Sequence, residues 1–269
     1  MLKEENLEEI YIRHAIDECP EIQNCPMHVH ERYEIYFFVS GKVEYLVEGA
    51  NYSLGECSLM VMRPGEFHAP KICSRKRYER YAINFPAALV ERVDPEGRLL
   101  QPFMERPLGR NNVYGADDMD MGAMQRLFYE ICYSKEDAYG RKLIATTHLI
   151  MMLEMIRKAF LQVERAEEDS QNPKEQMVRY VNKHLFDKLS VPMLAEHFYL
   201  SPSQFGRVFH QATGATPWEY IIKKRLMAAK EKIKSGISTK EACEECGFTD
   251  YSVFYRAYVK QFGCSPKQG

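Results

Sequence analysis

Between Glu34 and Phe85 apolar and polar residues trade places at every second position. The runs Glu34–Ser40 (EIYFFVS), Lys42–Glu48 (KVEYLVE), Ser58–Met62 and Arg80–Phe85 fit strands with one face buried. Gly41, Gly49, Gly55 and Pro64-Gly65 punctuate them as turns. Short strands at this spacing predict a β-barrel or jelly roll reaching to about Pro107. After about Ala116 the period lengthens to that of a helix. Met119, Met124, Leu127, Phe128 and Ile131 form one run, and after a break at Tyr139-Gly140 a second runs from Leu143 to Phe160. Apolar faces this wide predict a helical hairpin, either covering the barrel alone or also pairing with its copy in a dimer. The polar, charged stretch Glu164–Lys174 (ERAEEDSQNPK) has no period and reads as a linker. An α+β chain results: a barrel over 1–115, a hairpin over 116–163, a linker over 164–174 and an all-α domain over 175–269.

The last part of the chain carries its most specific pattern. Leu189–Pro217 and Ile237–Pro266 each read as a short helix, a tight turn and a second helix. Ser201 is placed to cap one second helix, with Pro202 at its first position, and Thr249 or Asp250 to cap the other. Phe205-x-Arg207-x-Phe209 is echoed by Phe254-x-Arg256-x-Tyr258. Aromatics four apart share a buried face, which turns the intervening arginine outward. Gly214 and Gly263 close the two helices, with Pro217 and Pro266 three residues on. A connecting helix from Pro217 to Ser235 would be roughly 28 Å long, near the ~34 Å spacing of successive major-groove faces. Trp218 and Tyr220 are expected to pack it on the first unit.

Both half-signatures, the Gly247-Phe248 step and the closing Gly263-x-Ser265-Pro266 stand in register. On these residues the last hundred positions resemble the DNA-binding domain of the AraC/XylS family of transcription regulators. Ala242-Cys243 replaces the family's usual Ile-Ala, Val259 stands where lysine is frequent, and the usual last helix is clipped after Pro266. The resemblance implies double-stranded promoter DNA as partner, a homodimer, and contact with RNA polymerase, with activation more usual in the family than repression and the sequence leaving the sign open. It also implies base reading by Ser203, Arg207, Ser252 and Arg256, then Gln204, Tyr251 and Tyr255. Arginine suits guanine O6 and N7, and glutamine suits the adenine edge. Lys223, Lys224 and Arg225 are expected on phosphates.

In the barrel, His28-x-His30-x-x-x-Glu34 and Pro64-Gly65-x-x-His68 look like the two motifs of a cupin, the usual sensor barrel of that family. The asparagine that often follows the second motif is missing. His28, His30, Glu34 and His68 form a three-histidine, one-carboxylate set suited to Zn, Ni, Fe or Mn. In a metal-free barrel the same residues would line a polar pocket, and the pattern admits both. Tyr33, Arg80 and Asn84 join them as candidate contacts to a small-molecule effector, with a sugar implied by the family.

Charge supports this division. From Lys174 onward there are 15 Lys and Arg against 9 Asp and Glu, and before it 21 against 29. A basic carboxyl-terminal part suits a polyanion. No apolar run is long enough to span a bilayer and the N-terminus MLKEENLEEI is polar, so a cytoplasmic chain without membrane partner is expected. The eight cysteines are scattered, and Cys243-x-x-Cys246 lacks a second pair of zinc-finger spacing, so core roles are expected. The favoured reading is a ligand-responsive regulator and not an enzyme. The alternative is a metal-dependent cupin dioxygenase or isomerase with a DNA-binding tail.

Overall fold

A computed structural model describes residues 1–162 and 172–268. The chain divides into two compact units, Met1–Glu168 and Asp169–Gly269. Most of the expected linker, residues 164–171, lies outside the described residues.

Two antiparallel sheets make up the first unit. One has the order β1 (Leu2–Leu7), β2 (Ile10–Asp17), β9 (Tyr78–Phe85), β4 (Tyr33–Ser40), β7 (Ser58–Met62), β10 (Val113–Tyr114). The other runs β3 (Gln23–Asn24), β8 (His68–Ile72), β5 (Val43–Val47), β6 (Ala50–Ser53). Tyr36, Phe38, Met60, Met62 and Tyr78 of the first sheet pack against Val43, Tyr45, Val47 and Ile72 of the second. The intervening residues of the first sheet, among them Ile10, Ile12, Ile35, Phe37, Val61, Tyr81 and Ile83, join the helices in a second core. Alternation along each strand thus separates the layer between the sheets from the layer under the helices.

Those helices are α1 (Ala87–Glu91), α2 (Gln101–Met104), α3 (Met121–Tyr133) and α4 (Ala138–Gln162). Asp120 caps α3 by accepting from the Ala123 N–H at 2.8 Å. The break in the hairpin falls at Ser134–Asp137, earlier than the sequence suggests. Tyr139 and Gly140 belong to the first turn of α4, where the Asp137 carboxylate accepts from the Gly140 N–H at 2.8 Å. A fully buried pair, Glu66–Arg106 at 2.5 Å, ties the β7–β8 connection to the segment after α2. Asn112 donates to both Glu66 and the Val61 carbonyl, giving the pair the hydrogen bonds that burial demands.

In the second unit come α5 (Pro173–Lys183), α6 (Val191–His197), α7 (Pro202–Thr213), α8 (Pro217–Lys234), α9 (Thr239–Glu245) and α10 (Tyr251–Phe262). Helix α6 with α7, and α9 with α10, are the two expected helix-turn-helix pairs, joined by α8. Ser201 and Asp250 are the observed caps of α7 and α10. Gly214 and Gly263 end them at φ near 70°, a left-handed conformation that suits glycine. Phe205 and Phe209 pack beneath Tyr220, whose hydroxyl donates to Asn182 at 3.0 Å. Trp218 is instead 46 % exposed, because the second position of α8 faces away from that core. Phe254 and Tyr258 pack with Leu226, Cys243 and Cys246, so these two cysteines are free, buried core residues. No helix among the described residues is long and apolar enough to cross a membrane.

Candidate functional site: a histidine cluster and two outward-facing helices

His28 and His30 sit on the extended segment before β4, Glu34 on β4 itself and His68 at the start of β8. His28 and His68 exchange backbone hydrogen bonds at 3.1 Å, which pins that segment to the second sheet. One ligand atom from each of the four residues falls within 4.8 Å of all the others. Each imidazole places Nδ1 against a backbone carbonyl: His68 on Glu66 at 2.8 Å, His30 on Arg32 at 2.8 Å and, more loosely, His28 on Pro26 at 3.4 Å. A carbonyl only accepts, so Nδ1 carries the hydrogen and Nε2 is turned inward. His30 Nε2 lies 2.8 Å from Glu34 Oε2, and His68 Nε2 lies 3.6 Å from it with no hydrogen bond of its own.

Burial opposes the Glu34 charge, but the hydrogen-bonded His30 and the nearby His68 imidazole outweigh it and hold the carboxyl well below its ordinary range. Burial likewise opposes charging His68, and Glu34 overrides it to raise that imidazole. Desolvation, then repulsion from His68, lowers His28, although part of its ring still meets solvent. Lone pairs of imidazole and carboxylate facing one another need a positive charge between them, supplied by a proton or a metal ion. The residues therefore fit a divalent metal held by His28, His30, Glu34 and His68, with the carbonyl-bound Nδ1 groups as its outer support.

A cavity of about 710 Å³ opens beside the cluster. His28, His30, Glu34, Arg80 and Asn84 line it, as the sequence suggests, and Asn84 donates to Glu34 at 2.8 Å. Tyr33 does not. Its neighbour Glu34 points into the cavity, so strand parity turns Tyr33 into the helix-side core, stacked on Phe85 with its hydroxyl on Met104. Sequence reasoning missed Tyr11, Arg13, Tyr36, Tyr45 and Tyr78 of the lining. Tyr36 and Tyr78 share a hydroxyl–hydroxyl bond of 2.5 Å, and Arg80 lies over the Tyr78 ring at 4.0 Å.

On the second unit Ser203, Arg207, Tyr251, Ser252, Tyr255 and Arg256 are all exposed, and the two arginines occupy equivalent turns of α7 and α10. Gln204 is exposed too, but its Oε1 accepts from the Ser201 N–H at 3.0 Å, so the group that would pair with adenine is engaged in a capping box. The basic triplet on α8 is largely internal. Arg225 is 4 % exposed and donates to the carbonyls of Leu185, Asp187 and Gly247 at 2.7, 2.6 and 2.5 Å. It clamps the α5–α6 loop to the second helix-turn-helix and is not a phosphate contact. Lys224 is also buried, its Nζ 5.4 Å from the Tyr220 ring centroid. Only Lys223 of the three stays half-exposed.

A family model for the AraC-like ligand binding domain matches residues 14–149, and one for a helix-turn-helix domain matches residues 194–268. The chain is similar to the probable transcriptional regulator LumQ of Photobacterium leiognathi, 35% identical over 88 residues that cover 32% of this chain and 36% of that protein. To the thermoregulatory protein LcrF of Yersinia pestis it is 20% identical over 253 residues, 89% of each chain. A crystal structure of ToxT from Vibrio cholerae with an unsaturated fatty acid bound covers 98% of this chain and 95% of its own at 11% identity, with a TM-score of 0.41. With the ligand-binding model over half its length and the helix-turn-helix model over the end, the chain belongs to the AraC family of DNA-binding transcription regulators.

Proposed function

We propose that the barrel of this regulator binds a small effector and that α7 and α10 read promoter DNA. The observation that carries the reading is the paired construction of the two helices. Each is capped, each seats an aromatic pair in the core, and each turns one arginine to solvent. Helix α8 has 18 residues, about 27 Å at 1.5 Å per residue, close to the ~34 Å between successive major-groove faces. Arg207 and Arg256 then take guanine edges, Ser203 and Ser252 make short contacts, and Tyr251 and Tyr255 meet thymine methyls or phosphate. Lys223 holds phosphate. Gln204 reaches a base only by releasing its cap.

The histidine cluster holds a divalent cation, which would supply Lewis acidity to an effector's oxygen. His28, His30, Glu34 and His68 keep their lone pairs aimed at one point for it. We place the chain in the cytoplasm as a homodimer joined through α4, whose Tyr139, Leu143, Met151 and Leu161 stay more than half exposed. Activation through RNA polymerase completes the reading. Selecting bound fragments from a genomic pool tests it: enrichment of one operator with two half-sites supports it, and affinity equal on random duplex refutes it. Substrate turnover by the metal-loaded barrel would favour the enzyme alternative.

A further inference from the structure

Among the described residues lining the cavity there are three arginines, Arg13, Arg32 and Arg80, and one carboxylate, Glu34. That carboxylate is already engaged by His30, Asn84 and the nearby His68. Hydrogen-bond donors are therefore plentiful in the cavity and charged acceptors are not. A neutral polyol needs both, since each hydroxyl donates as well as accepts. An acceptor-only ligand fits better. Glu4 and Asp17 stand beside Arg13 and Arg80 at 3.2 and 2.9 Å, but both are rim residues with side chains 39% and 47% exposed. Neither exhausts its arginine. Arg13 turns Nε to Glu4, an ion pair that leaves its two Nη groups over, and the bond from Arg80 to Asp17 uses Nη1 alone. Arg32 also commits only Nη1, to the Glu9 carbonyl.

Register places two of these groups on one face of the sheet. Arg13 on β2 faces Ala82 on β9, and Arg80 is two residues along the same face of β9. On the other side Ala82 faces Tyr36 of β4. A methyl group thus floors a spot flanked by Arg13, Arg80 and Tyr36, with Tyr45 and Tyr78 beyond as apolar walls. Diagonal neighbours on adjacent strands lie roughly 7–8 Å apart, a span over which two long side chains meet on one oxyanion.

We propose that the effector is a small organic acid whose carboxylate sits over Ala82 between Arg13 and Arg80, with its body against Tyr36, Tyr45 and Tyr78. This rests on the reading of the barrel as the effector site and replaces the sugar that family likeness suggests.

The test is calorimetric and thermal-shift titration of the full chain with succinate, phenylacetate and 4-hydroxybenzoate at millimolar concentration. Each is matched with its uncharged amide, and inorganic phosphate and neutral sugars run alongside. At least one acid should bind while its amide does not. Arg13→Gln should weaken that binding at least about tenfold, and Arg13→Lys should restore part of it. Arg13 is half exposed and its pair with Glu4 lies at the rim, so both variants should fold, which their melting temperatures verify. Silence from every acid, equal binding of acid and amide, a response to a sugar or to phosphate alone, or indifference to Arg13→Gln overturns the proposal. DNA binding, read separately by fragment selection, decides the regulator reading whichever way the acids behave.

Discussion

Replacing Arg225 with alanine separates a structural clamp from a DNA contact. In the clamp, three charge-assisted hydrogen bonds of 2.5–2.7 Å disappear, and three carbonyls in a largely dry site lose their donor. Bonds to charged groups contribute about 1.5–3 kcal/mol each, but they are not additive and water can enter the space left behind. A total of about 3–5 kcal/mol is therefore expected. Domains of this size are stable by only about 5–15 kcal/mol. At roughly 4–8 °C per kcal/mol, the melting temperature of the second unit should fall by on the order of 12 °C or more. Gly247 reinforces the reading, since a Cβ there would sit 2.9 Å from Arg225 Cζ. Gly247→Ala should thus destabilise the same unit. Calorimetry of the full chain resolves the transition. An unchanged melting temperature, combined with a shallower salt dependence of DNA affinity, would restore Arg225 to the phosphate backbone and refute the clamp.

Arg207→Ala and Arg256→Ala should each cost about 1–3 kcal/mol of specific DNA affinity in gel shifts and relax one base position; because both guanidinium groups are exposed, thermal stability should hold, and a loss of folding in either would contradict their placement. Protein purified without a His-tag should carry stoichiometric metal by elemental analysis. His68→Ala should lower metal affinity by more than the roughly 10–100-fold that losing an outer-shell partner costs, and unchanged affinity would remove the metal. His14 bonds Tyr133 at 2.6 Å and Glu79 at 3.0 Å, and burial, only partly offset by Glu79, lowers its pKa below the ordinary 6.5. Between its folded pKa and 6.5 the unfolded chain binds more protons, so the stability of the first unit should rise as pH climbs toward 6.5 and level off above it. His14→Asn should flatten that profile in pH-dependent melts, and an identical slope would show that another group titrates.

How legible each part was in the sequence follows from where its determinants lie. Strands β4, β5, β7 and β9 are found within one or two residues because alternation is local. Strands β1 and β2 escaped notice for a definite reason. LKEENL offers no apolar face, and their turn uses Glu8 at φ 57° where a glycine or asparagine would have signalled it. Missing β2 meant missing Arg13 and Tyr11. Tyr33 could have been excluded on paper, since a residue next to Glu34 on one strand cannot share its face. Arg225 and Lys224 could not, because a basic triplet reads as solvated until the loop after α5 supplies the carbonyls around it. The histidine cluster was readable residue by residue, whereas its orientation by three backbone carbonyls belongs to tertiary structure alone.

Neighbouring codons along β2, β4 and β9 answer to different demands. Arg13, Tyr36 and Arg80 address the cavity, while His14, Phe37 and Tyr81, each the very next residue, address the helices. Effector preference can therefore drift by substitution at every other position while the helix-side wall keeps its shape. The same interleaving makes the three strands a common diaphragm. Displacing a strand from the cavity side moves its opposite side chains against α3 and α4 with no intermediary.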